Sequence, residues 1–197
     1  MATQIRRTRS ESRIMDAASD LFYEHGLRGV GIDQVIATSG ISKSTLYAHF
    51  RSKDDLVAAY LRATDDSWMR QLQDAAERAG DAPAAQLIGL FDALYEAFDR
   101  HGFFGCPFIS SAVESDLDSQ ARAITREHVR RRQAWISDLC AAAGDPDPAR
   151  LASHLGLLID GALASGRLEQ DRSVVDAAKR AAGDAVDSIS RNLKGNS

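Results

Sequence analysis

The sequence predicts an all-α protein of about nine helices, with a small three-helix domain at the N-terminus and a larger helical domain after it. Three observations favour this fold class. Apolar residues recur every three or four positions along most of the chain, which is the spacing of an amphipathic helix. No stretch alternates in the manner of a half-buried strand. Glycine and proline lie at the breaks between the periodic segments. We expect residues 1–53 to form the first domain and residues 54–197 the second.

The N-terminal domain is predicted from three short periodic segments. Apolar side chains share one helical face over residues 14–22, and Gly26 is a suitable residue to end that helix. Two further helices are predicted over residues 32–40 and 42–50. A tight turn around Gly40 joins them, which indicates a helix-turn-helix unit.

The fourth helix is predicted to begin after Ser52, whose hydroxyl is placed to bond the backbone of Asp55 in a capping box. It runs to the Gly-Asp-Ala-Pro break at residues 80–83. The same periodicity predicts five more helices. They cover residues 84–100, a short stretch after Pro107, about 119–143, about 148–165 with Asp147 as N-cap, and 172–193.

Composition favours a globular protein in a reducing compartment, because 44% of the 197 residues are hydrophobic and 26% are charged. Cys106 and Cys140 are too few and too distant for a disulfide framework or a zinc site. Each thiol fits either a buried structural role or a redox-sensing one. The N-terminus has no apolar signal segment, and no run approaches the roughly 20 apolar residues of a membrane helix. We expect a cytoplasmic protein that binds no membrane, metal or cofactor.

Charge is distributed unevenly along the chain. The first 53 residues contain eight basic and five acidic side chains, a net charge of +3, which leaves −7 for the rest of a chain whose total is −4. A basic segment on an acidic body suits a protein that contacts a polyanion with one end only. The N-terminal arginines Arg6, Arg7 and Arg9 fit either a DNA-contacting arm or a solvated tail.

The most informative motif is the sequence IATSGISKSTLYAHFRSKDDL at residues 36–56. In a helix-turn-helix, the second helix enters the major groove with its first residues facing the base edges. Ser42 is placed to cap this helix, which leaves Lys43, Ser44 and Thr45 on its first turn.

The remaining residues of the motif divide into an inner and an outer set. Leu46 and Phe50 are expected to pack inward, against Leu21 and Val35. The outer set is expected on the exposed side or at the start of the next helix, where its members can contact phosphate. It consists of Tyr47, His49 and Lys53.

This motif resembles the DNA-binding segment of the tetracycline-repressor (TetR) family, with its Gly-Val-Ser-Lys-Gly-Thr-Leu-Tyr-x-His-Phe-x-Ser-Lys signature. With the preceding helix, the resemblance covers about residues 10–61. It implies DNA contacts by the matching positions, which are Ser42, Lys43, Ser44, Thr45, Tyr47, His49 and Lys53. Two positions depart from the family pattern. Gly31 stands where the family commonly has a threonine that caps the second helix and contacts phosphate, so we expect a weaker cap without that contact. Ser44 stands where glycine is frequent.

The resemblance also implies that the larger domain binds a small molecule. Aromatic residues and one histidine are the candidates, although an aromatic stripe at helical spacing equally fits a core. The candidate ligand-binding residues are Trp68, Tyr95, Phe98, Phe103, Phe104, Phe108, His128 and Trp135. The run Arg130-Arg131-Arg132 fits a solvated helix face, or pairing with acids such as Asp138 or with an anionic ligand.

Dimerisation is the second property that the resemblance implies for this domain. The last two helices have apolar stripes interrupted by small residues, which permit close approach of helices. The candidate interface residues are Leu151, Leu155, Leu158, Ile159, Ala162, Val174, Ala178, Ala181, Ala185 and Ile189. Each stripe also fits packing within a single chain.

These observations predict a homodimeric, ligand-responsive repressor that binds a palindromic DNA operator and is released by a small-molecule effector. A transcriptional activator, a ligand-independent regulator and a helical ligand-binding protein that does not bind DNA remain open alternatives. The sequence contains no nucleophile elbow, phosphate-binding glycine loop or His-Glu-x-x-His pair. We therefore do not expect an enzyme.

Overall fold

The computed structural model describes residues 8–99 and 103–195, with side chains up to residue 187. Within these ranges the regular secondary structure is helical, as predicted. In chain order the helices are α1 (Arg9–Gly29), α2 (Ile32–Ser39), α3 (Lys43–His49), α4 (Lys53–Arg78), α5 (Pro83–Gly89), α6 (Asp92–Phe98), α7 (Pro107–Glu114), α8 (Gln120–Ala142), α9 (Pro148–Glu169) and α10 (Ser173–Gly195). None of the described helices is both long and apolar enough to cross a bilayer.

The described residues form two compact units. The first unit combines residues 8–64 with Pro107–Thr125, so a segment from the middle of the chain joins the N-terminal helices. The second unit contains the described residues of Asp65–Cys106 and Arg126–Ser197. Helices α4 and α8 each contribute residues to both units.

The first unit is organised around α1, which contacts α2, α3 and α7. Thr8 caps α1, because its Oγ1 accepts a hydrogen bond from the Glu11 backbone N–H at 3.2 Å. The rings of Phe22 and Tyr60 lie 5.4 Å apart in the core of this unit. Other buried side chains of that core are Ile14, Met15, Ala18, Val35, Leu46, Phe50, Leu56 and Leu61.

The predicted helix caps are present where local sequence indicated them. The hydroxyl of Ser42 accepts from the Thr45 N–H at 3.2 Å, and that of Ser52 accepts from the Asp55 N–H at 3.1 Å. Asp147 accepts from the Arg150 N–H at 3.3 Å at the start of α9. Such caps satisfy amides that have no partner within the helix.

Gly26 interrupts α1 instead of ending it. Its φ of 79° lies in the left-handed region, and a short helical turn continues from there to Gly29. The carboxylate of Glu114 in α7 occupies the space beside Gly26 and accepts a hydrogen bond from the Arg28 N–H at 2.7 Å. A Cβ at position 26 would lie 2.7 Å from the Glu114 Oε1. The backbone angle therefore requires the glycine, and an added Cβ would also displace the end of the Glu114 side chain.

The helix predicted over residues 84–100 is divided into α5 and α6. Backbone hydrogen bonds between residues three positions apart span the junction. One of them joins the Leu94 N–H to the Phe91 carbonyl oxygen at 3.1 Å. Leu90, Phe91, Ala93 and Leu94 are all fully buried. These four positions lie within one helical face about 160° wide, so the apolar pattern fits an unbroken helix and does not mark the junction.

In the second unit, α9 packs against α10 and α6, and α10 also packs against α5. The apolar stripes of α9 and α10 form much of this core, and several of the predicted interface residues pack within it. The predicted interface residues that are buried within the single chain are Leu151, Leu155, Ile159, Ala162 and Ala178. Leu158, Val174 and Ala185 are half-buried, Ala181 is exposed, and the Ile189 side chain lies outside the described residues.

We predict that Gly26→Ala destabilises the protein by ~1–3 kcal/mol, because alanine is strained at positive φ and its methyl group meets the Glu114 carboxylate. The control is Gly29→Ala, at the last turn of α1. There the new Cβ lies 3.8 Å from the nearest atom, the His25 Cβ, so stability should be unchanged or rise by up to about 1 kcal/mol. Urea unfolding of both variants measures the difference. Equal stability of the two variants would contradict the role of Gly26.

Candidate nucleic-acid interface

The first turn of α3 presents a cluster of polar side chains to solvent. Lys43 and Ser44 are exposed and Thr45 is half-buried. The Ser42 Oγ lies 3.0 Å from the Ser44 Oγ and 2.8 Å from the Thr45 Oγ1, so the three hydroxyls form one hydrogen-bonded group. This arrangement places three hydroxyls and one ammonium group at the N-terminus of a short helix, the position from which helix-turn-helix proteins contact base edges or phosphates.

The opposite face of α3 is buried, as predicted. Leu46 is fully buried and Phe50 nearly so, together with Val35 of α2, whereas the predicted neighbour Leu21 is half-buried. Tyr47 is 43% exposed on the outer face. The inner residues therefore fix the orientation of the outer ones.

His49 is less exposed than the sequence predicted. Its side chain is half-buried, and the Nε2 lies 2.9 Å from the Oγ of Ser10 in α1. The Ser10 Oγ also lies 3.1 Å from the Thr8 Oγ1. Ser10 and Thr8 thus extend the polar surface from α3 to the start of α1. Sequence reasoning missed them, because a bond between residues 39 positions apart has no local signature.

The N-terminus of α2 compensates in part for Gly31. No side chain caps this end, but the Gln34 Oε1 accepts a hydrogen bond from the Gly31 N–H at 2.7 Å. Asp33 lies in the first turn, and its Oδ1 is 3.4 Å from the Nζ of Lys43. This contact between α2 and α3 was also missed from the sequence.

Basic residues lie at the starts of two helices of the first unit. Lys53 is the first residue of α4, is half-buried, and lines a cleft of about 280 Å³ together with Arg28 and Glu114. Arg9 is exposed at the start of α1, while Arg6 and Arg7 lie outside the described residues.

The ligand-binding candidates occupy different environments. In the second unit, the rings of Phe98 and Phe103 stack with centroids 3.8 Å apart. Phe98 lies against Gly166, where an added Cβ would come within 2.0 Å of the Phe98 ring. The Arg167 guanidinium lies over the Phe104 ring, 5.8 Å from the ring centroid. Trp68 and Trp135 are half-buried, and Phe108 is buried in the first unit.

Tyr95 is bound to α10. Its hydroxyl bonds to Asp176, and the Arg172 guanidinium lies 4.6 Å from the ring centroid. Burial and the neighbouring carboxylate raise the pKa of Tyr95 to about 12. Its phenol therefore stays neutral and connects α6 to α10.

His128 and the arginine run form a polar network between α4, α8 and α9 within the second unit. The Nδ1 of His128, a fully buried side chain, lies 2.7 Å from the Asp65 Oδ1. Arg131 bonds the other Asp65 oxygen at 2.8 Å. Arg132 is only 2% exposed and forms two 2.7 Å bonds to Asp160, so the expectation of a solvated face is wrong for this residue. Burial lowers the pKa of His128 below its usual value, despite the opposing bond to Asp65.

Among the described residues, no group of histidine, cysteine, aspartate and glutamate side chains is arranged to hold a metal ion. Both cysteines are buried, and burial raises the pKa of the Cys140 thiol to about 11. That thiol is protonated at neutral pH.

A buried hydrophobic stripe and an exposed polar first turn on the second of two short helices define a helix-turn-helix DNA-binding protein. Residues 14–60 match the family profile of the bacterial regulatory proteins of the tetR type. The chain belongs to the TetR family of bacterial transcriptional regulators, and two relatives and one solved structure are similar to it.

The first relative is the HTH-type transcriptional repressor KstR2 of Mycobacterium tuberculosis, which is 32% identical over 139 residues, covering 71% of this chain and 68% of the relative. The second is the HTH-type transcriptional regulator RutR of Escherichia coli K12, 36% identical over 143 residues, covering 68% and 65%. A crystal structure of a TetR-family transcriptional regulator from Streptomyces coelicolor matches with a TM-score of 0.80 and 28% identity, over 93% of this chain and 95% of the other.

The lowered pKa of His128 predicts a pH-dependent stability. Below the ordinary histidine pKa of 6.5 the unfolded chain takes up a proton that folded His128 resists. The free energy of unfolding should therefore fall as the pH decreases from about 7 to about 5. His128→Gln should flatten this dependence. If the free energy of unfolding changes with pH by the same slope in wild type and in His128→Gln, His128 is not the source of the pH dependence. The absolute stability of the variant does not affect this comparison.

Proposed function

We propose that this regulator is a repressor that binds a palindromic operator as a homodimer and is released by a small-molecule effector. The main support is the outer face of α3, where Lys43, Ser44 and Tyr47 are exposed while Leu46 and Phe50 anchor the helix. Relatives named as repressors, KstR2 and DhaR of Mycobacterium sp. GP1, support repression as the outcome of DNA binding.

In this proposal the DNA contacts divide by chemistry. Lys43, Ser44 and Thr45 face base edges in the major groove, because they form the first turn of α3. Tyr47 and Lys53 donate to phosphate oxygens. His49 contributes through the bond to Ser10, whose hydroxyl holds the imidazole beside the start of α1. The positive charge of the N-terminal segment favours this approach to a polyanion.

The homodimer is proposed to form through the exposed side of α9 in the second unit. Leu157 and Leu168 are 70% and 84% exposed, far above the values of the buried stripe on the same helix. Between them lie Gly161 and Ala164, both exposed, and a Cβ at Gly161 would contact nothing within 4 Å. An exposed apolar strip with small residues suits close packing against the same strip of a second chain.

The effector is proposed to bind in the second unit, where most of the aromatic candidates lie. Because α4 and α8 contribute residues to both units, an effector that prefers one arrangement of these helices changes the DNA-binding unit as well. The coupling is reciprocal, so DNA must weaken effector binding by the same factor.

We expect Tyr47→Phe and Lys53→Gln each to weaken binding to a duplex selected from a random-sequence pool, because each change removes a donor to a phosphate oxygen. For Lys53→Gln the slope of log affinity against log salt should also become shallower by about 0.9, since one phosphate is no longer neutralised. Arg126→Gln, an exposed basic residue of α8, is the control. Fluorescence anisotropy across a salt series measures both the affinity and its dependence on salt concentration. An affinity equal to that of wild type would remove that residue from the interface.

We expect Leu157→Glu to convert the dimer into monomers. The exposed strip of α9 becomes buried in the proposed dimer, and a carboxylate is costly to desolvate there. The control is Leu117→Glu, because Leu117 is also exposed, at 65%, but lies between α7 and α8 in the first unit. Light scattering after size exclusion measures the mass of each variant, and circular dichroism confirms folding. A dimeric Leu157→Glu protein would place the interface elsewhere.

A further inference from the structure

The ion pair between Asp33 and Lys43 is the feature of the interface that DNA binding in general does not explain. The Asp33 Oδ1 lies 3.4 Å from the Lys43 Nζ, and the two side chains are 87% and 63% exposed. Asp33 belongs to the first turn of α2, and Lys43 is the first residue of α3. The contact with Lys43 places the carboxylate beside the turn of α3 that faces the base edges in the proposed complex.

This pair contributes little to the stability of the fold, because exposed ion pairs are worth ~0–1 kcal/mol. A carboxylate on a DNA-binding surface also repels phosphate groups. An acid in the first turn of a helix is favoured by the helix dipole, but that effect does not require a lysine beside it. The remaining role for the ion pair is to influence which DNA sequence the protein binds.

The major groove offers few partners to a carboxylate. Ionised aspartate only accepts hydrogen bonds, and the donors in the groove are the cytosine N4 and adenine N6 amino groups. The lysine ammonium only donates, and guanine presents the adjacent acceptors O6 and N7. A G·C pair thus has its acceptors on one side and its donor on the other. An A·T pair places its donor between two acceptors.

We propose that Asp33 and Lys43 together recognise one G·C base pair in each operator half-site, with Lys43 on guanine and Asp33 on cytosine. This inference rests on the proposed function. An ammonium group next to a carboxylate matches the separated acceptors and donor of G·C, and it does not match the alternating pattern of A·T. Asp33 is then a specificity-determining residue.

The carboxylate acts as much by exclusion as by attraction. Where no amino group meets it, Asp33 enters the groove facing base acceptors or a phosphate and loses its water without a replacement bond. Lys43 alone would bind any exposed acceptor of the groove. Asp33 and Lys43 together restrict binding to a G·C pair, and they bind DNA of other sequences more weakly.

The test uses the full-length protein and a pool of random-sequence duplexes, from which bound sequences are selected and counted. Wild type should enrich a palindromic motif with a G·C pair at one position of each half-site. Asp33→Asn should reduce that preference about tenfold and admit adenine, because asparagine bonds the N6 and N7 of adenine. Other positions of the motif should be unchanged, and binding to unrelated duplex should become tighter. Lys43→Gln should lose the preference at the same position.

The control is Asp20→Asn, which makes the same change of charge at an exposed position of α1. An identical motif for Asp33→Asn and wild type, with all sequences bound more tightly, would show that Asp33 is only a repulsive charge and overturn the inference. A change at a position that Lys43→Gln leaves unaffected would also overturn it. If wild type enriches no sequence at all, the proposed function itself fails, which is a different result.

Discussion

The DNA-binding surface depends on the burial of two side chains of α3. A helix of seven residues is not stable in water by itself, because too few hydrogen bonds follow its costly nucleation. Leu46 and Phe50, both buried, attach it to the core of the first unit. The Ser42 hydroxyl satisfies a backbone amide at its start. The polar first turn is therefore held outward by apolar contacts on the other side of the same helix.

Much of this unit could be predicted from the sequence because the determinants are local. The turn at Gly40, the caps at Ser42 and Ser52 and the inward pair Leu46 and Phe50 all depend on neighbours within a few positions. Polar contacts between side chains of different helices were not predicted. The Ser10 contact with His49 and the Asp33 contact with Lys43 join helices whose relative placement no sequence periodicity determines.

The second unit shows a different limit of sequence reasoning. Periodicity identified the apolar faces of α9 and α10, but an apolar stripe has the same pattern whether it packs within its own chain or against another. Burial of Leu155 and Ile159 identifies the side of α9 that packs within its own chain. The DNA-binding role of the named site residues, the ligand-binding candidates and the dimer stay predictions.

The three consecutive arginines of α8 show that adjacent charged residues of a helix can have different surroundings. Successive residues of a helix point about 100° apart, so neighbours in sequence face different surroundings. Arg130 is exposed beside Glu127, whereas Arg132 is buried and doubly bonded to Asp160. A single solvated face was therefore the wrong description.

The contact of Glu114 with the last turn of α1 has a practical consequence for anyone who wishes to excise the DNA-binding part. The acceptor for the Arg28 amide is supplied by a residue 86 positions further along the chain. A fragment cut after the start of α4 would leave that amide without its carboxylate, and the gap beside Gly26 without its occupant. A transplantable module, or a chimera with a different sensor, must bring residues 107–125 with it.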